Sequence, residues 1–201
     1  MRYLLFSDIH GELEKCEALV KKAETVDVVL GAGDYGSFRK GLKNPLEILS
    51  RIEKPTLLVH GNHESLKELQ AACKNWTSAR VLHGTSFTIH GVTFFGIGGA
   101  TPVTPFIPWS VDVSEEDAAK LLANCPKNAV LISHSPPYKC LDAIAPPKKH
   151  IGSKAIKACI EEKSPRFVVC GHIHEAWSQQ DAVGSVPVIN AGPFGLIFEA
   201  F

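Results

Sequence analysis

The sequence predicts an α/β protein whose sheet is covered by helices on both faces. Two observations carry this. Through the first half of the chain, short apolar runs alternate with longer segments of helical periodicity, the pattern of strands linked by crossover helices. The 201 residues are 45% hydrophobic and 21% charged, enough apolar material for one sizeable core, so a single domain spanning 1–201 is expected.

Taken in order, "RYLLF" reads as the first strand and "GELEKCEALVKKAE" as a helix, with apolar positions at Leu13, Cys16, Leu19 and Val20. A second apolar run lies in "VDVVLGAGD". "NPLEILSRIE" has Pro45 in its first turn, where a missing amide proton does no harm, and it leads to the strand "PTLLVHGNH" and the helical "ESLKELQAACKNW". From Val81 the pattern changes to two close-set strands, "SFTIHG" and "VTFFGIGG", joined as a hairpin at His90-Gly91. Residues 100–113, "ATPVTPFIPWSVDV", carry three prolines and no period, which predicts an irregular loop of the kind that lines binding sites. An acid-capped helix follows at "SEEDAAKLLANC". The remainder reads as the strand "NAVLIS", a loop rich in Pro and Lys, a helix near Ser153 to Lys163, and strands in "RFVVCGHIHEAW", "VPVIN" and "GLIFEAF".

Lys and Arg together number 21, as do Asp and Glu, so no global field draws the chain to nucleic acid or an anionic membrane. The amino-terminal apolar run is too short for a signal peptide and no stretch is long enough to span a bilayer. A cytoplasmic protein with neither membrane nor nucleic-acid partner is expected. The six cysteines form no C-x-x-C pair and read as reduced core thiols.

Five apolar runs end alike: "LLFSDIH", "VVLGAGD", "LLVHGNHE", "VLISHS" and "VVCGHIH". In an open α/β sheet, ligands sit beyond the carboxyl ends of the strands, where all these polar groups would collect. Singly, each fragment reads as an ordinary turn or cap, with Asn62 capping a helix and Glu64 in its first turn. Independent turns, however, give no reason for Asp, Asn and His to recur after successive core strands. Carboxylate with imidazole suits borderline divalent ions such as Mn, Fe, Zn, Ni or Co. The absence of thiols argues against a finger-type zinc site, and the donors are too many for one tetrahedral ion.

In order, "SDIHG", "GD", "GNHE", His134 in "SHSPP" and "GHIH" resemble the motifs of calcineurin-like metallophosphoesterases, over a span from Asp8 to His174. The resemblance implies a four-layer α/β/β/α sandwich and a centre of two divalent ions drawn from Mn, Fe, Zn or Ni, with Mn favoured. It implies that Asp8, His10 and His174 hold one ion, that Asn62, His134 and His172 hold the other, and that Asp34 bridges them. His172 and His174 would then lie close in sequence because each serves one of two ions about 3.5–4 Å apart. Glycines 33, 61 and 171 admit the close backbone approach this requires. The expected reaction is hydrolysis of a phosphodiester or small-molecule phosphate ester by a metal-bridging hydroxide, with His63 and Asp34 as catalytic residues and His63 protonating the departing oxygen.

The chain departs from the family's protein phosphatases, which read Gly-Asp-x-x-Asp-Arg-Gly and Arg-Gly-Asn-His-Glu. Ser37 stands where an aspartate would hold the catalytic histidine, and His60 where an arginine would clamp phosphate. Arg39 is one residue out of register. Orientation of His63 falls to Ser37, water or backbone, and Glu64 either assists or merely serves a helix dipole. Trp109 and Phe106 either wall the substrate or pack within their loop, "PPKKH" at 146–150 offers phosphate-binding lysines or a solvated loop, and Asn190 organises a turn near the site. His83, His90 and His150 join no constellation. The rival readings are a nuclease, a phosphomonoesterase and a catalytically silent scaffold; a nuclease would want a basic surface, and a scaffold degenerate ligands.

Overall fold

The computed structural model describes residues 1–144 and 149–200. Its first half runs β1 (Arg2–Phe6), α1 (Leu13–Ala23), β2 (Val28–Gly31), α2 (Lys43–Leu49), β3 (Thr56–Leu58), α3 (Leu66–Ala72) and β4 (Ala79–Val81). The second runs β5 (Thr85–Ile89), β6 (Val92–Ile97), α4 (Glu115–Leu122), β7 (Val130–Ser133), the short pair β8 (Ala143–Ile144) and β9 (Lys149–His150), then α5 (Lys154–Lys163) and β10 (Val168–Cys170). A 3-10 turn (His174–Ala176), β11 (Gln180–Val183), β12 (Val186–Asn190) and β13 (Leu196–Glu199) complete it.

Two sheets result, ordered β13-β1-β2-β3-β4 and β11-β12-β10-β7-β6-β5. The strands β1 to β4 are mutually parallel, as are β6, β7, β10 and β12, while the edge strands β13, β5 and β11 pair antiparallel. Alternation along each strand decides the layers. In β1, Tyr3 and Leu5 face Phe94, Val130, Ile132, Phe167 and Val169 of the other sheet, whereas Leu4 and Phe6 pack with Cys16, Leu19, Leu46 and Leu69 of helices α1 to α3. Phe95, Leu131 and Val168 on the far side of the second sheet meet Ala118, Leu122, Ile156 and Ile160 of α4 and α5. The architecture is therefore the four-layer α/β/β/α sandwich. The inner strands are buried on both faces because each sheet is covered on both.

The hairpin forms at His90-Gly91, both with positive φ, and the six cysteines are free and buried. Among the described residues, no helix is long and apolar enough to cross a membrane. Ser65, not Asn62, caps α3: its hydroxyl accepts from the Glu68 amide at 3.3 Å while Glu68 accepts from the Ser65 amide at 2.7 Å. Asn62 is thereby left for other work. The sequence pattern passed over β4, β8, β9 and β11. These are short edge pieces, and three of the four residues of β11 are exposed, so burial imprints no period on them. Of "PPKKH", residues 146–148 lie outside the described residues, and Lys149 and His150 form β9.

Candidate metal centre

The seven proposed ligands come from five strand ends and meet in one place. The backbone is strained there: Asp8, His10, Asp34 and His172 hold φ of 53°, 50°, 59° and 69°. For residues with a Cβ, this left-handed region costs about 1 kcal/mol or more each and persists where the surroundings impose it, commonly at functional sites. The sheets impose it here through bonds between strand-end loops, with the Asp8 amide donating to Gly33 O (2.9 Å) and the His10 amide to Asp34 O (3.0 Å). Bare backbone at the glycines lets these loops touch. A methyl at Gly61 would overlap the Asp34 carboxylate, and one at Gly171 would stand 2.6 Å from Asp8 Oδ2.

Ligand atoms of Asp8, His10 and His174 lie within 4.8 Å of one another, and so do those of Asp34, His134 and His172, and those of His10, Asp34 and His63. Asp34 Oδ2 is the common point, 3.4 Å from His134 Nε2, 3.8 Å from His63 Nε2 and 3.9 Å from His10 Nε2. His10 Nε2 and His174 Nε2 face each other at 3.1 Å, and Asn62 Oδ1 is 3.0 Å from His134 Nε2. Each group expected for one ion is thus assembled. His63 Nε2 stands beside the Asp34 carboxylate as well.

A further set of groups orients these donors, and sequence reasoning missed most of it. Asp8 accepts from Ser7 Oγ (2.5 Å), the His172 amide (3.0 Å) and Trp177 Nε1 (3.2 Å). His134 Nδ1 bonds Ala32 O at 2.7 Å, turning Nε2 into the site. Asn62 Nδ2 donates to Ser110 Oγ (3.1 Å), which in turn donates to Asp112, so the amide's oxygen faces His134. Ser7 and Trp177 adjoin recognisable motifs and were findable there. Ser110 and Asp112 lie in a loop whose only signal was its lack of period.

Glu64 is no helix-dipole charge. Its carboxylate is buried and accepts the amides of Gly61 (2.8 Å), Asp34 (2.9 Å), Tyr35 (3.1 Å) and Gly36 (3.3 Å), clamping the Asp34 loop to the Asn62 loop. The Phe38 amide, rather than Ser37, orients His63: it donates to Nδ1 at 2.8 Å, so the neutral ring carries its proton on Nε2, toward Asp34. Ser37 instead donates to His10 O (3.0 Å). Asn190 holds the His172 loop through Gly171 O (3.2 Å) and Ile173 O (2.9 Å). His60 is buried with Nδ1 bonded to Gly61 O (2.9 Å) and its ring against His83, so it is no ligand and His83 has a partner after all. His150 also has one, the buried Asp142 carboxylate at 2.6 Å.

The electrostatics suit cations. Burial lowers the proton affinity of His174 and His172, the latter to about 3, which leaves neutral rings with lone pairs to offer, and it also lowers that of His63, whose lone pair already takes the Phe38 amide. Burial likewise raises the Asp8 carboxyl. Although burial opposes it, His134 with His63 and His10 holds the Asp34 carboxyl below the usual range; His134, also against the pull of burial, is raised to about 9 by Asp34 and Asp8. Two buried carboxylates, buried and half-buried imidazoles and an amide oxygen, all turned toward one small space, fit a pair of borderline divalent ions. All five arginines are engaged elsewhere, with Glu199, Glu68, Glu17, Ala79 O and Asn128 O; Arg39 in particular is forked onto Glu68 at 2.9 and 3.0 Å.

A sandwich whose paired sheets gather carboxylate and imidazole donors at their strand ends defines a metal-dependent phosphoester hydrolase. The chain belongs to the calcineurin-like phosphoesterase family, whose model matches residues 1–176. It is similar to the uncharacterized protein MJ1162 of Methanocaldococcus jannaschii, with 32% identity across 96% of this chain and 88% of that protein. Among solved structures it superposes on TT1561 of Thermus thermophilus with a TM-score of 0.74 at 20% identity, covering 95% of this chain and 88% of that one. A dimetal phosphatase from Danio rerio superposes with a TM-score of 0.64 at 15% identity over 94% and 86% of the two chains, and the phosphopantetheinyl hydrolase PptH of Mycobacterium tuberculosis with 0.62 at 15% over 94% and 88%. The family implies two divalent metal ions.

Proposed function

We propose that this chain hydrolyses phosphodiesters or small-molecule phosphate esters, with Mn the favoured ion, in the cytoplasm. The observation that carries the reading is the convergence of two donor groups on one shared carboxylate, Asp34. In this reading Asp8, His10 and His174 hold one ion and Asn62, His134 and His172 the other, with Asp34 between them. When bound, the ions supply Lewis acidity that activates water and neutralises phosphate oxygens. The chain's own residues do the rest. Glu64 and Ser110 fix the ligand loops, and His63, locked by the Phe38 amide, directs its Nε2–H as a hydrogen bond to the departing oxygen, where it stabilises growing charge. The open side of the centre, where His10, His63 and His174 are partly exposed, admits the ester.

Preference for a diester is supported by the engagement of every arginine elsewhere. A phosphomonoester dianion is gripped well by a bidentate guanidinium, and none faces this centre. The description of the Danio rerio neighbour as a dimetal phosphatase agrees with a two-ion site. The test is hydrolysis of bis-aryl phosphate, aryl monophosphate and phosphopeptide panels with added Mn and with chelator. Chelator-sensitive turnover greatest on the diester is expected; a panel dominated by phosphopeptides, or no turnover under any condition, would sink the reading.

A further inference from the structure

Two aromatic rings pack against His63. Trp109 meets it edge-on at 4.5 Å between centroids and Phe38 at 5.1 Å, and the two rings touch each other at 4.9 Å and 81°. Phe38 is 60% exposed although it is large and apolar, and Phe106, three residues before Trp109 in the same loop, is fully exposed at 101%. Phe38 also holds a φ of 50°, unfavourable for an aromatic residue, and that conformation aims its amide at His63 while leaving the ring at the surface. Packing within the fold does not account for this lip, since the core clusters contain none of the three rings. These rings flank the imidazole whose Nε2–H is read above as meeting the departing oxygen, so the alcohol portion of the ester is the part that comes within their reach.

We infer that Phe38 and Trp109 form a stacking platform for a planar aromatic ring carried on the leaving alcohol, such as the base of a nucleoside. Aromatic faces bind bases without demanding charge, which suits a lip from which every arginine is absent. The inference rests on the phosphodiesterase reading for its catalytic consequence but not for the binding event itself.

Its test compares methyl esters of two phosphates with the same primary sugar alcohol, one bearing adenine and one the free sugar, so that leaving-group basicity is matched. A phenethyl ester distinguishes a nucleobase from any aromatic ring. In parallel, adenosine and ribose are titrated into metal-free protein and followed by NMR shifts of the Trp109 indole. The base-bearing ester is expected to be favoured about tenfold or more in kcat/KM, the scale of one base stacked on a side chain. Adenosine alone is expected to shift Trp109. In Phe38→Leu and Trp109→Leu the preference should fall toward unity. Equal loss for both esters would mean that the rings only brace His63 and would overturn the platform, as would absence of adenosine binding. Binding of adenosine, lost in Phe38→Leu, with neither ester hydrolysed, would keep the platform and remove the phosphodiesterase reading.

Discussion

Glu64 shows how one side chain decides whether the donors meet. Four amides from two loops end on its two oxygens. Burial, with the charge of Asp34 added, pushes its carboxyl up to about 8, against the pull of those amides. Glu64→Gln keeps the shape but turns donor hydrogens toward the Tyr35 and Gly36 amides, so stability should drop by about 2–4 kcal/mol in urea denaturation and metal content should fall with it. A variant that unfolds and loads metal like the native chain would contradict the clamp. His60 supplies a pH test. Burial first, then the neighbouring His83, holds its folded proton affinity down at about 4, against 6.5 ordinarily. Between those values the unfolded chain binds the extra proton, so stability is full above about pH 6.5 and declines toward pH 4, by about 3 kcal/mol for this ring. Native and His60→Gln proteins should therefore converge in denaturation midpoint as pH falls through this window; parallel profiles would exclude the assignment.

At the scale of elements, strands set the donors' positions and loops set their direction. The irregular loop after β6 shows the second effect: Val111 N donates to Asn62 O at 3.0 Å and Ser110 fixes the Asn62 amide, so a segment with no period holds a ligand in register. Ser110→Ala removes the group that decides which way the amide points. Affinity for the ion proposed to sit on Asn62, His134 and His172 should weaken about 10–100-fold while the other site is spared, seen as a split in a two-site competition titration. Uniform weakening at both sites, or none, would count against this role.

For the molecule as a whole, both sheets contribute the proposed ligands, so ions held there would bind the folded state alone and tie the two sheets together. Stripping them should lower Tm by about 5–10 °C at ion concentrations near 100 times Kd, given a few kcal/mol of linkage in a chain of this size. Loading should also release protons. His134 in the metal-free protein is raised to about 9 and must lose its proton to ligate, so apparent affinity falls as pH drops below that value. Calorimetry at pH 8 in two buffers of different ionisation enthalpy should give unequal heats; equal heats would deny the release.

Much of this was legible in the residues. The strand-helix alternation followed from periodicity, and Asp8, His10, Asp34, Asn62, His134, His172 and His174 were visible because each ends an apolar run. The clamp of Glu64, the Ser110 bond, the Phe38 amide on His63 and the edge strand β11 were not. The reason is physical. Burial on two faces stamps a period on a strand, and donor chemistry restricts residue type, so both leave marks along the chain. A hydrogen bond from a backbone amide to a side chain 25 or 30 residues away leaves none, because every residue but proline has that amide. The chain by itself fixed which donors exist and in what order; only the packing of one sheet against the other decided which of them face each other and which way they point.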